Sequence, residues 1–184
     1  MADPLYLSFW LKGYSPIGLP IYFRKAAGAF PASKLAPGGA LRIHALSFRE
    51  PPVYEEWFDE TPDAKVLSGI AQEFLHEDMA FCYETRWDLW QWDGDWALKP
   101  SPVNIECFGP LFESPMGEHL LIDAGSDLLY LPCEKSDQLR PVQSNIRSIL
   151  HLASDVEDAI AAERRVLWSE SDENFAERLY EMLA

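Results

Sequence analysis

The chain is short of basic residues, of cysteine and of long apolar runs, and each shortage excludes a class of protein. Lysine and arginine number 15 against 30 aspartates and glutamates, a formal net charge of −15 over 184 residues. A surface of that sign repels a phosphate backbone on average, and no lysine/arginine cluster offers a local exception, so no nucleic-acid partner is expected. Anionic membranes are disfavoured for the same reason. No apolar run approaches the ~20 residues that a membrane helix needs. The opening stretch MADPLYLSFWLKGY has no basic segment before its apolar run and no small-residue cleavage site after it, so no secretory signal is expected. The three cysteines, Cys82, Cys107 and Cys133, are odd in number and widely spaced. They fit reduced thiols better than a disulfide framework, and the texture is that of a bacterial-type cytoplasmic protein.

Chemical signatures are also missing. There is no GxSxG, P-loop, GxGxxG after a strand, HExxH or CxxC. The histidines, His44, His76, His119 and His151, share no close metal-ligand spacing. No catalytic residue, metal or cofactor is therefore expected. The least implausible acid/base pair is His119 with Asp123, four apart in a predicted strand. Arg147, His151 and Asp155 form an i, i+4, i+8 row on a predicted helix, which reads first as a solvated face.

What is present is the material of a packed globule. Hydrophobic residues make up 48% and aromatics 13%, with seven tryptophans. A single domain of this length buries roughly 70% of the surface its unfolded chain exposes, enough to need no covalent staple.

Periodicity orders the elements. Leu5, Leu7, Phe9 and Leu11 alternate with Tyr6, Ser8 and Trp10 as a first strand. LPIYFRKAAGAF reads as a helix with Pro20 in its first turn, ALRIHALSF as a second strand and VYEEWF as a short third. Thr61-Pro62-Asp63 starts a second helix with the stripe Val66, Leu67, Ile70, Ala71 and Phe74. A fourth strand follows from Ala80. This order is the ferredoxin-like βαββαβ pattern of an antiparallel α+β fold. Residues 81–92, 96–99, 103–111, 119–123 and 128–131 read as further strands in hairpins, turned at DGD, PSP, ESPMGE and AGSD. From Pro141 onward the chain reads as helical and packed on the sheet, with a capping box at Ser154–Glu157 that can split one helix into two. Phe175, Leu179, Met182 and Leu183 mark a terminal helix. The whole is expected to be one compact domain, 1–184, with possible sub-parts 1–92 and 93–184.

The most unusual stretch is ETRWDLWQWDGDW, residues 84–96. At period two, Phe81, Tyr83, Thr85, Trp87 and Leu89 share one face. Glu84, Arg86, Asp88, Trp90 and Trp92 share the other, so indole rings emerge where ions have marked a wet flank. A three-residue loop at Asp93-Gly94-Asp95 pairs Trp92 with Trp96 across the hairpin, and a two-residue loop sets Trp96 opposite Gln91. Three readings fit the rings: core cover, a platform for a small ligand, or an anchor for a protein partner. The candidate binding residues are accordingly Trp90, Trp92 and Trp96 with Arg86 and Asp88.

Function is expected to be non-enzymatic binding, with a basic protein partner suited to the charge. A small-molecule site or enzyme with a pocket between the sheet and the C-terminal helices is the alternative. A homodimer through sheet edges or helices is the third.

Overall fold

The computed structural model describes residues 2–131, 139–170 and 175–183; Cys133 lies outside them. Among the described residues, seven strands and four helices follow in the order β1 (Pro4–Leu11), α1 (Leu19–Ala29), β2 (Gly39–Ala45), β3 (Tyr54–Phe58), α2 (Ala64–Glu73), β4 (Met79–Trp92), β5 (Trp96–Phe108), β6 (Leu120–Ser126), α3 (Leu139–Ile160), β7 (Ala162–Ser169) and α4 (Phe175–Leu183). The strands make one antiparallel sheet ordered β3-β2-β4-β5-β6-β1-β7.

The α+β class with an antiparallel sheet stands. The ferredoxin-like arrangement does not, although its element order is present. That arrangement sets one strand between β1 and β2, whereas β4, β5 and β6 separate them here. The reason is nonlocal pairing: β1 lies between β6 and β7, both from late in the chain. Sub-parts 1–92 and 93–184 therefore interleave in one sheet.

One face of the sheet is mainly apolar across its five inner strands. Leu5, Leu7 and Phe9, Leu41 and Ile43, Phe81 and Trp87, Ile105 and Cys107, and Leu120 and Ile122 pack with Phe23, Leu67, Ile146, Ile149, Val156 and Phe175 of the four helices in a single core. Alternation along the inner strands makes that possible, because one parity of their side chains is mainly apolar.

Several boundaries differ from the sequence expectation. Asp63, not Thr61, caps α2, accepting the Lys65 N–H at 2.8 Å. The PSP segment is no turn, since β5 runs through it. Proline is tolerated there because it falls at Pro100 and Pro102, opposite Asp88 and Arg86, where ladder alternation directs the missing N–H outward. The same parity leaves even-numbered β4 residues facing away from β5. Arg86 O accordingly accepts the Ser33 N–H at 2.8 Å, and Asn145 bonds both Trp90 N and Trp90 O. Residues 127–129 form a 3-10 turn rather than a strand. Helix α3 runs unbroken through Ser154–Glu157, so the capping box is unused. AERRVLWS, expected to be helical, is strand β7. Its β1 partner supplies a ladder that outweighs local propensity, and Ala161 reverses the chain with φ 51°.

Candidate functional site on the uncovered face of the sheet

Helices cover one face of the sheet and leave the other to loops. Register places two rows of side chains across that open face. The first runs Arg42, Cys82, Glu106, Leu121, Ser8, Val166; the second runs Ala40, Glu84, Asn104, Asp123, Tyr6, Trp168. Phe108, Phe112, Ala80 and Leu121 make a small apolar cluster beside them. Over the middle of the rows lies a cleft of about 480 Å³, lined by Tyr6, Phe48, Arg49, Glu106, Leu121 and Asp123 among others.

The cleft's floor is held from behind. Glu118, only 2% exposed, accepts the Ser8 hydroxyl at 3.2 Å and the Met116 N–H at 2.6 Å. The Trp168 indole N–H donates to Ser8 Oγ at 2.8 Å, and its ring lies 4.6 Å from that of Tyr6. These contacts tie the 109–118 loop, β1 and edge strand β7 into one wall, with an aromatic pair at its side.

Electrostatically the cleft is unbalanced. Glu106 is pushed up to about 7, first by burial and then by the charges of Asp123 and Glu118. Asp123 is also raised by burial, partly offset by the Gly125 N–H that it accepts at 3.0 Å. Burial raises Tyr6, and the charges of Asp123, Glu170 and Glu106 add to it. Among the described residues no ion pair or hydrogen bond reaches the Glu106 carboxyl, and Arg49 makes none with Glu106 or Asp123. Arg42, the nearest cation in the rows, is already shared between Glu55 at 2.7 Å and Glu84 at 2.8 Å. Burial raises the Cys82 and Cys107 thiols, which makes both poor nucleophiles. No group of three metal-ligating side chains occurs among the described residues.

The sequence-derived site residues divide. The DGD loop has three residues and Trp92 pairs with Trp96, ring centroids 5.7 Å apart. Trp92 is 50% exposed and Leu98, paired with Trp90, is also exposed. Trp96 leans on the core, its indole N–H buried without a partner. Trp90 is partly buried. Asp88 spends its carboxylate on Ser33 Oγ and on the Lys34 and Leu35 N–H groups. Arg86 donates to Ala36 O at 3.1 Å. Both therefore fasten the 31–38 connector to β4. The hairpin tip lies about 25 Å along the strands from the cleft, at 3.3 Å per residue.

His119 and Asp123 do not form an acid/base pair. His119 Nδ1 accepts the Leu11 N–H at 2.9 Å, and its ring stacks on Tyr14 with centroids 4.0 Å apart. Burial lowers its pKa, with Glu118 opposing. Arg147, His151 and Asp155 line the exposed side of α3 with no hydrogen bond or ion pair joining them.

In the sequence, Val103, Ile105 and Cys107 alternate with Asn104, Glu106 and Phe108, which sets Glu106 opposite the apolar parity of that strand. Its convergence with Asp123 and Tyr6 was not visible there, because it depends on β5, β6 and β1 being neighbours. Comparison with protein-family models, curated proteins and solved structures found no significant match to this chain.

Proposed function

We propose that the chain is a non-enzymatic binding protein that receives a basic protein partner on its uncovered sheet face. A positively charged side chain of that partner occupies the cleft of Tyr6, Glu106 and Asp123. One observation carries the reading: Glu106 sits beside further acids with no cation paired to it among the described residues. Like charges held together in a partly desolvated site cost free energy that an incoming cation offsets. The Tyr6–Trp168 pair and Phe48 add ring faces and apolar wall for the cation's stem. The net charge of −15 speeds encounter with a basic surface. Cytoplasmic residence suits the buried free thiols Cys82 and Cys107. Trp92, with Leu98, Trp90 and Trp96, supplies an apolar outpost on the same protein. Arg86 and Asp88 do not contribute, since the connector occupies them.

The crevice between the sheet and the C-terminal helices, bounded by Leu7, Leu150, Leu167, Ala176 and Tyr180, holds about 130 Å³. Small-molecule sites run from about 300 Å³ upward, so the partner reading is preferred over a ligand pocket there.

Titration with a hexa-arginine peptide tests the proposal. The pair Glu106→Gln and Asp123→Asn is expected to weaken binding at least tenfold, and the pair Asp155→Asn and Asp158→Asn on exposed α3 less than twofold. Equal losses mean diffuse attraction and overturn it. At pH 6 binding should release a proton from Glu106, read as a heat that depends on the buffer.

A further inference from the structure

Among the described residues the sheet ends at β3 on one side and β7 on the other. Hydrogen-bond parity carries across from β4 to β3. Even-numbered residues of β4 face β2, so Arg42 and Ala40 face β4, while Leu41 and Ile43 face β3, opposite Glu56 and Tyr54. Glu55 and Trp57 therefore direct their backbone N–H and C=O groups away from the sheet. A row of that kind is a template for another strand unless something blunts it. Beyond β6, the free side of β5 is blunted by Pro100 and Pro102. At β3 there is no proline, and Trp57 is 62% and Val53 51% exposed.

The chemistry of this edge selects its occupant. Residues 54–60, YEEWFDE, hold four acids and no base. Arg42 grips Glu55 at 2.7 Å and lies 5.0 Å over the Trp57 ring, and the Trp57 indole N–H donates to Glu55 Oε1 at 3.0 Å. The two outward-facing residues are thus held in place before anything binds, which lowers the ordering cost.

We infer that β3 accepts an extended basic segment of a protein partner as an eighth strand. Basic residues lie opposite Glu55 and Glu56 and an apolar residue opposite Trp57, because cross-strand pairs of opposite charge and aromatic–aliphatic pairs stabilise a sheet. A second copy of the chain fits poorly, since pairing β3 with itself opposes Glu55 and Glu56 to one another across an interface between two chains of charge −15. The inference stands apart from the cleft: either surface can fail without the other.

The probe is the blocked peptide Thr-Val-Lys-Lys-Val-Thr, alongside the same peptide N-methylated at alternate residues, which keeps charge but loses one edge of strand hydrogen bonds. Backbone amide spectra of the full chain should change chiefly over residues 53–58, and the N-methylated peptide should bind at least tenfold more weakly. The variant carrying Glu55→Lys and Glu56→Lys should lose at least tenfold, with spectra elsewhere preserved. Trp57→Pro, which removes an outward N–H together with the indole that bonds Glu55, should do likewise, while Asp155→Asn with Asp158→Asn on exposed α3 stays within twofold. Equal binding of both peptides, changes confined to the cleft, or no change at millimolar peptide would overturn the inference. A dimer in sedimentation that Trp57→Pro abolishes would also overturn it, by giving the edge to a second copy.

Discussion

The two faces of the sheet are built from the same strands, yet they spend their residues differently. Under the helices, apolar side chains of the strands meet those of α1 to α4, and the few polar side chains there include Tyr83, whose hydroxyl is buried without a partner. On the open face, carboxylates, a thiol, an amide and aromatic rings share the rows, and Asn104 Oδ1 is buried without a partner. Packing is optimised on the first face. The second gathers like charges around Glu106, a pattern found where binding rather than stability has shaped a surface.

If that contrast is real, equal truncations should have unequal costs. Trp87, buried against Phe30 at 5.6 Å between ring centroids, should cost about 3–5 kcal/mol on Trp87→Ala in urea denaturation. Trp92→Ala, on the exposed tip, should cost under about 1 kcal/mol and reduce the acrylamide-quenchable emission to the share of Trp57, which is also exposed. Comparable costs would erase the distinction.

Asn145 sharpens the boundary between the faces. It is 1% exposed and bonds Trp90 N, Trp90 O and Leu129 O. Asn145→Leu should destabilise by about 2–3 kcal/mol by stranding those groups, and amide exchange should accelerate at Trp90 before the rest of β4.

Glu106 gives the opposite sign. A raised carboxyl pKa means that the folded molecule keeps a proton that the unfolded chain releases. Its contribution is therefore complete below about 4.5 and is lost as pH rises towards about 7. Glu106→Gln should gain on the order of 1–3 kcal/mol at pH 8 and nothing at pH 4. A variant no more stable than the parent at pH 8 would mean that the carboxyl is not under strain.

The legible part of the fold was the part governed by local period. The strand at residues 5–11, the first two helices, the Trp92–Trp96 register and the terminal helix follow from alternation, capping and turn chemistry. PSP misled because proline breaks most strands, and its tolerance depends on which way the absent N–H points. AERRVLWS misled because its partner, β1, lies more than 150 residues earlier. Of the candidate site, the wet flank of β4 was readable, and the exposure of Trp92 agrees with it. The fastening of Asp88 and Arg86 to the connector was not, since no period links residues 33–37 to β4.

Charge, class and the identity of each apolar parity are properties of the chain itself, set by side-chain chemistry and by the two-residue repeat of extended backbone. Which strands became neighbours was decided only in three dimensions, where loop closure and ladder pairing act between residues far apart in sequence. Glu106, Asp123 and Tyr6 meet for that reason alone. Trp57 and Glu55 stand at a free edge for the same reason.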